Sequence, residues 1–202
     1  MSHLVITIGC EYGAKGNQIG RKIAEDLGFQ FYDRNIVDAI IHEVGIPGEI
    51  MEKVEEGVTI VGKGAEGEER GEFSQYADLT KRAIHVQKTI IRKLSDRESC
   101  VIIGRCADFV LREHENVLKI FIQAPLTDRI ARISEKYLIE IPSEAKKEVI
   151  RNDKLRRSYY QFYTDSKWGG RDHKDLVINS SVLGIDGTVD FIKDFVDRKF
   201  NT

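Results

Sequence analysis

Gly9-Cys10-Glu11-Tyr12-Gly13-Ala14-Lys15-Gly16-Asn17 is the stretch on which the reading of this chain turns. It follows the apolar run Leu4 to Ile8 (LVITI). It precedes a segment where Ile19, Ile23, Ala24 and Leu27 recur at helical spacing, closed by Gly28. A short continuous apolar run predicts a strand buried on both faces of a parallel sheet, and a glycine after the periodic segment predicts a helix stop. Small residues between strand and helix let backbone N–H groups face an anion, and the helix dipole adds to the attraction. A lysine in such a loop reaches the outer phosphates of a nucleotide. From Gly9 to Gly16 the length is that of GxxxxGK[ST], but Ala14 stands at the second glycine and Gly16 at the hydroxyl residue.

Downstream, strand and helix signals alternate. Phe29 to Tyr32 predicts a second strand, residues 35–44 and 47–56 predict helices, and the glycines and glutamates of 57–72 predict an acidic loop. A long helix carries Leu79, Ala83, Val86, Ile90 and Leu94 on one face. Cys100 to Ile103 and Val117 to Ile122 are further apolar strands. Pro125 opens a helix with Leu126, Ile130, Ile133 and Tyr137 inward, and Ser143 is the expected cap of a basic helix reaching about Thr164. Leu176 to Ile178 is a fifth strand, and Val189, Ile192, Val196 and Phe200 mark a closing helix. The pattern predicts an α/β doubly wound five-stranded parallel sheet flanked by helices, with its ligand crevice at the carboxyl ends of the strands.

Composition narrows the function. With 202 residues a single domain is expected, and 31 basic against 33 acidic residues argue against a nucleic-acid partner. No apolar run is long enough to span a membrane. Three cysteines without a CxxC pair suit neither a disulfide framework nor a zinc site, so a reducing cytoplasm is the expected compartment.

The run ITIGCEYGAKGNQIGRKIAEDLGFQFYDRNI resembles the opening of the cytidylate kinase-like proteins. The segments VIIGRCADFVL, LKIFIQAPLTDRIARI, RNDKLRRSYYQFYTDSKWG and DLVINSSVLGID fit the same family in order. The resemblance implies a P-loop kinase with a core (about 1–33, 98–140 and 174–202), an acceptor-binding region (about 34–97) and a lid (about 141–173). It implies ATP-dependent phosphoryl transfer to a nucleoside monophosphate, CMP or dCMP first, with ATP and Mg2+ as cofactors and a small-molecule phosphate acceptor. Tyr12, Gly13, Ala14, Lys15, Gly16, Asn17 and Gln18 would hold the donor. Asp33, Arg34, Arg105, Asp108 and Asp153 would serve the acceptor side, and Lys15, Arg156 and Arg157 the transferring group. The protein ligands of the metal stay open, with Asp33 or water as candidates.

The residue types suit that chemistry. Phosphoryl transfer needs positioning and charge compensation, which arginine's rigid, permanently charged fork supplies. Asp153 is three residues before Arg156 and four before Arg157, so each pair can share a helical face. Two rival readings follow from the altered loop: a catalytically degenerate nucleotide-binding module, or a kinase for a different small molecule. A homodimer through the acidic loop or the long helix is a further expectation.

Overall fold

A computed structural model describes residues 3–33 and 69–200. The helices expected at 35–44 and 47–56, Arg34, and most of the acidic loop lie outside the described residues. Five parallel strands form one sheet: β1 (Val5–Cys10), β2 (Gln30–Tyr32), β3 (Cys100–Ile103), β4 (Val117–Gln123) and β5 (Leu176–Asn179). Their order is β2-β3-β1-β4-β5. The first strand is therefore central, and Ile8 stands beside Ile103 on one side and Ile120 on the other. The chain leaves β1 where the order of connection reverses, which is where open α/β sheets bind ligands.

Alternation along the strands divides the core in two. Ile6, Ile8, Val101, Ile103, Leu118 and Ile120 pack with α1 (Gly16–Leu27) and the last helix. Val5, Cys100, Ile102 and Val117 face the opposite layer. That layer contains α2 (Glu69–Arg97), the short α3 (Ala107–Val110) and the carboxyl end of α5 (Pro142–Thr164). Before α5 comes α4 (Leu126–Tyr137), and α6 (Ser180–Phe200) closes the chain, kinked at Gly184. Gly28 ends α1 as expected, its N–H donating to Ala24 and Glu25 carbonyls.

Several local expectations change. Residues 69–72, expected in the loop, begin α2. That helix buries Gln87 and Ile91 beside Ala83 and Ile90, because its inward face also serves a polar turn. Ser143 does not cap α5. The helix starts at Pro142, whose ring presets the first-turn φ and whose missing N–H leaves no donor to satisfy. Tyr137 is half exposed, and Arg129 takes an inward place on α4, because that face meets the glycine loop as well as apolar core.

Candidate functional site

The loop after β1 is shaped by backbone constraints. Gly13 has φ 82°, and a Cβ there would lie 3.0 Å from the Arg129 carbonyl oxygen. A Cβ on Gly16 would lie 2.5 Å from Cys10 Cβ, so the loop folds back on its own start only with glycine at 16. Lys15 adopts a left-handed conformation (φ 63°) as the N-cap of α1 and is exposed. Left-handed geometry disfavours a side chain by roughly 1 kcal/mol, against a smaller entropic cost for glycine. Lys15→Gly should therefore raise unfolding stability by about 0.5 kcal/mol or leave it unchanged. Urea denaturation checks this, and a clear loss would mean that the lysine side chain contributes contacts that outweigh the backbone strain.

Side chains take up four of the loop's carbonyls. Arg156 Nη1 donates to Cys10 O (2.8 Å), Arg129 Nη1 to Tyr12 O (3.3 Å), Arg132 Nη1 to Gly13 O (3.3 Å) and Ser180 Oγ to Ala14 O (2.9 Å). The amides divide. Tyr12 N–H donates to Asp153 Oδ1 (2.8 Å) and Ala14 N–H to Glu11 O (3.1 Å), so both are spent within the protein. The expected donor cradle is accordingly narrower. First-turn amides of Gly16, Asn17 and Gln18 lack intrahelical acceptors, and Gly13 and Lys15 N–H meet none among the described residues. An anion-binding concavity of main-chain donors results.

Arg129 anchors this arrangement. Its side chain is nearly buried, donates to Ala124 O (3.0 Å), and stands against Glu11 (3.4 Å) and Asp153 (2.5 Å). Glu11 also accepts from Ala124 N–H (3.0 Å). One guanidinium thus ties loop, α4 and α5 together. Asp153, expected on the acceptor side, has both carboxylate oxygens engaged in this tie and does not line the cavity described next.

A cavity of about 240 Å³ opens at the carboxyl end of the sheet. Gly9, Cys10 and Asn17 line it from the loop, Asp33 from the end of β2, and Asn152, Arg156 and Tyr159 from α5. Gly104, Arg105 and Cys106 line it through three successive left-handed residues (φ 69°, 54° and 53°). Left-handed geometry in two non-glycine residues is strain of the kind that clusters at functional sites. Gln87, fully buried, fastens the turn by donating to Arg105 O (2.9 Å) while accepting from Tyr159 OH (2.9 Å). The Arg105 guanidinium lies 6.0 Å from the Tyr159 ring centroid.

The far wall is a buried polar cluster. Lys174 Nζ is ion-paired with Asp108 Oδ2, Tyr160 OH donates to the same oxygen (2.8 Å), and Lys174 Nζ donates to Tyr160 OH (3.1 Å). Burial, followed by the neighbouring Asp108 charge, pushes the Tyr160 hydroxyl up, so it remains protonated. Trp168 completes the wall, edge-on to Phe121 at 5.3 Å.

Asn17, Asp33, Arg105, Asp108 and Arg156 thus share one cavity. Lys15, Gln18 and Arg157 do not line it. The Arg157 guanidinium lies 5.9 Å from the Trp168 ring. Arg156 also lies 5.3 Å from the Tyr12 ring, whose hydroxyl meets Tyr137 OH at 3.3 Å. The cavity's thiols are unequal: burial pushes Cys106 up, whereas Cys10 is partly exposed. Among the described residues no group of three or more His, Cys, Asp or Glu could hold a metal, and no helix is long and apolar enough to cross a membrane.

Sequence reasoning missed Arg129, Glu11, Gln87 and Lys174. For Arg129 the signal was present: it lies three residues after Leu126 and four before Ile133, on the apolar stripe. Lys174 carried none, since only the tertiary fold brings it to Asp108.

A family model described as "Cytidylate kinase-like family" matches residues 5–182. Two proteins named cytidylate kinase are similar. That of Methanococcus aeolicus is 28% identical over 130 residues (63% of this chain, 72% of that protein). That of Desulfurococcus amylolyticus is 24% identical over 115 residues (57% of this chain, 61% of that protein). Among solved structures, an uncharacterized protein from Eubacterium ventriosum aligns with TM-score 0.74 at 23% identity, covering 96% of this chain and 99% of its own. A shikimate kinase from Acinetobacter baumannii aligns with TM-score 0.51 at 15% identity, covering 98% and 96%. The two structural likenesses establish the fold.

Proposed function

The chain belongs to the cytidylate kinase-like family, and we propose from that premise that it transfers the terminal phosphoryl group of ATP to a nucleoside monophosphate, CMP or dCMP first. The observation that carries this reading is the convergence of Asn17, Arg105 and Arg156 on one cavity beside the glycine loop. The free amides of Gly13 and residues 15–18 hold the donor phosphates. Arg105 holds the acceptor phosphate, one of whose oxygens attacks the terminal phosphorus as its bond to the bridging oxygen breaks. Arg156, anchored at Cys10 O, has further N–H groups to offer the equatorial oxygens as charge redistributes. Magnesium, when bound, neutralises the donor phosphates. Asp33, a carboxylate of the cavity that also pairs with Arg21 (3.7 Å), would hold the ion or its water shell. In this reading residues 34–97 contribute the acceptor region and 141–173 the lid.

The test is ATP consumption by the pure protein with magnesium, against CMP, dCMP, UMP, AMP, GMP, shikimate and no acceptor. Stimulation by a cytidine nucleotide is expected. Stimulation by shikimate alone would move the reading to a kinase for another small molecule, and no stimulation by any compound would overturn the acceptor assignment.

A second reading, a nucleotide-binding module without turnover, draws on Lys15, which is exposed and off the cavity. It predicts stabilisation by ATP of roughly 2.7 kcal/mol at 100 times the dissociation constant, with no product. Any turnover by wild type removes this second reading, and Lys15→Ala then tests the lysine itself. If Lys15 serves the donor phosphates, turnover falls by about 10²-fold or more. If turnover is unchanged, the main-chain amides suffice.

A further inference from the structure

We propose that Lys174 is a specificity-determining residue, acting with Asp108 to read the polar edge of the acceptor's planar ring; this rests on the kinase reading above. The contacts of the cluster leave little choice of ligand. Among the described residues, Asp108 uses Oδ2 for both partners, Lys174 Nζ and Tyr160 OH, and Oδ1 is left as an acceptor. Lys174 commits one N–H to Asp108 and one to Tyr160 OH, leaving a third. Both residues line the cavity, although Lys174's side chain is only 2% exposed.

The cluster therefore shows the cavity one donor beside one acceptor, at no net charge. A phosphate has acceptors only, so it would be repelled by Oδ1 and belongs instead with Arg105 and Arg156. The complement of an adjacent donor and acceptor is an amide- or amidine-type ring edge, as a pyrimidine presents. Trp168, Tyr159 and Tyr160 in the same wall supply flat aromatic surface for such a ring.

The test compares CMP with ribose 5-phosphate, which keeps sugar and phosphate but lacks the base. Binding to the full chain is measured by calorimetry for wild type, K174Q and D108N/K174Q, with ATP as the reference ligand. The double variant removes both charges, so no carboxylate is left buried alone, and its melting midpoint reports folding. Wild type should prefer CMP over ribose 5-phosphate, and both variants should lose about 10–100-fold of that preference while ATP affinity changes less than about twofold. An unchanged preference in the folded double variant, or no preference in wild type, overturns the role of Lys174 alone. ATP binding by wild type with no binding of CMP, UMP, AMP or ribose 5-phosphate overturns the nucleotide-acceptor reading, and the assignment of Lys174 with it.

Discussion

Arg156→Ala lowers kcat by roughly 10²–10³, equivalent to about 3–4 kcal/mol of transition-state stabilisation, with little change in the KM for either substrate. The size follows from what the side chain does. Arg156 sits on α5, lines the cavity, and is held by Cys10 O at 2.8 Å, so it is positioned before any substrate arrives. A group already in place aids chemistry most when charge develops on the oxygens it faces, and it adds less to ground-state binding. Its contact with the Tyr12 ring at 5.3 Å limits how far it can swing. Lysine should not rescue, because a single ammonium cannot hold Cys10 O and an equatorial oxygen with one planar fork. Steady-state kinetics of R156A and R156K decide the matter. An unchanged kcat would remove Arg156 from the transition state, and a rise in KM alone would make it a binding residue.

Arg157 offers the internal control. Sequence spacing put both arginines near Asp153, yet the fold sends Arg157 toward the Trp168 ring and leaves it off the cavity. A chain read in one dimension cannot tell which of two adjacent arginines faces a crevice, because they project about 100° apart on a helix. What such a reading does recover is what local physics dictates. The parallel strands follow from apolar runs, the end of α1 from Gly28, and the loop from its glycines. The place of Arg105 just past the end of β3 follows in the same way. What it does not recover are contacts across the fold. Lys174 lies 66 residues from Asp108, and Gln87 is an unremarkable polar residue on a basic helix until Tyr159 and Arg105 are brought to it. Asp153 shows the intermediate case. Its side of the helix was readable, but its partners, Arg129 and the Tyr12 amide, come from two other elements.

Arg129→Met should cost about 3–5 kcal/mol of folding stability, the loss expected when one partner of a buried ion pair is removed and the other remains. At this chain length that corresponds to a fall of roughly 10–15 °C in Tm. Two carboxylates are left behind: Asp153, with 11% of its side chain exposed, and Glu11, with 24%. Each keeps one backbone donor, from Tyr12 and Ala124 respectively, and among the described residues neither keeps a cation. Ala124 O and Tyr12 O also lose their donors. The damage reaches function because Tyr12 and Gly13 set the course of the loop, so ATP affinity should weaken even where the variant stays folded. The triple variant E11Q/R129M/D153N separates charge from shape. It carries no uncompensated carboxylate and should regain more than half of the lost stability, while the Tyr12 carbonyl still lacks its guanidinium. Denaturant unfolding of wild type, R129M and the triple variant measures both terms. A loss below about 1 kcal/mol in R129M would place this tie in the range of surface ion pairs, and the loop would then be held chiefly by its glycines and by Ser180, Arg132 and Arg156.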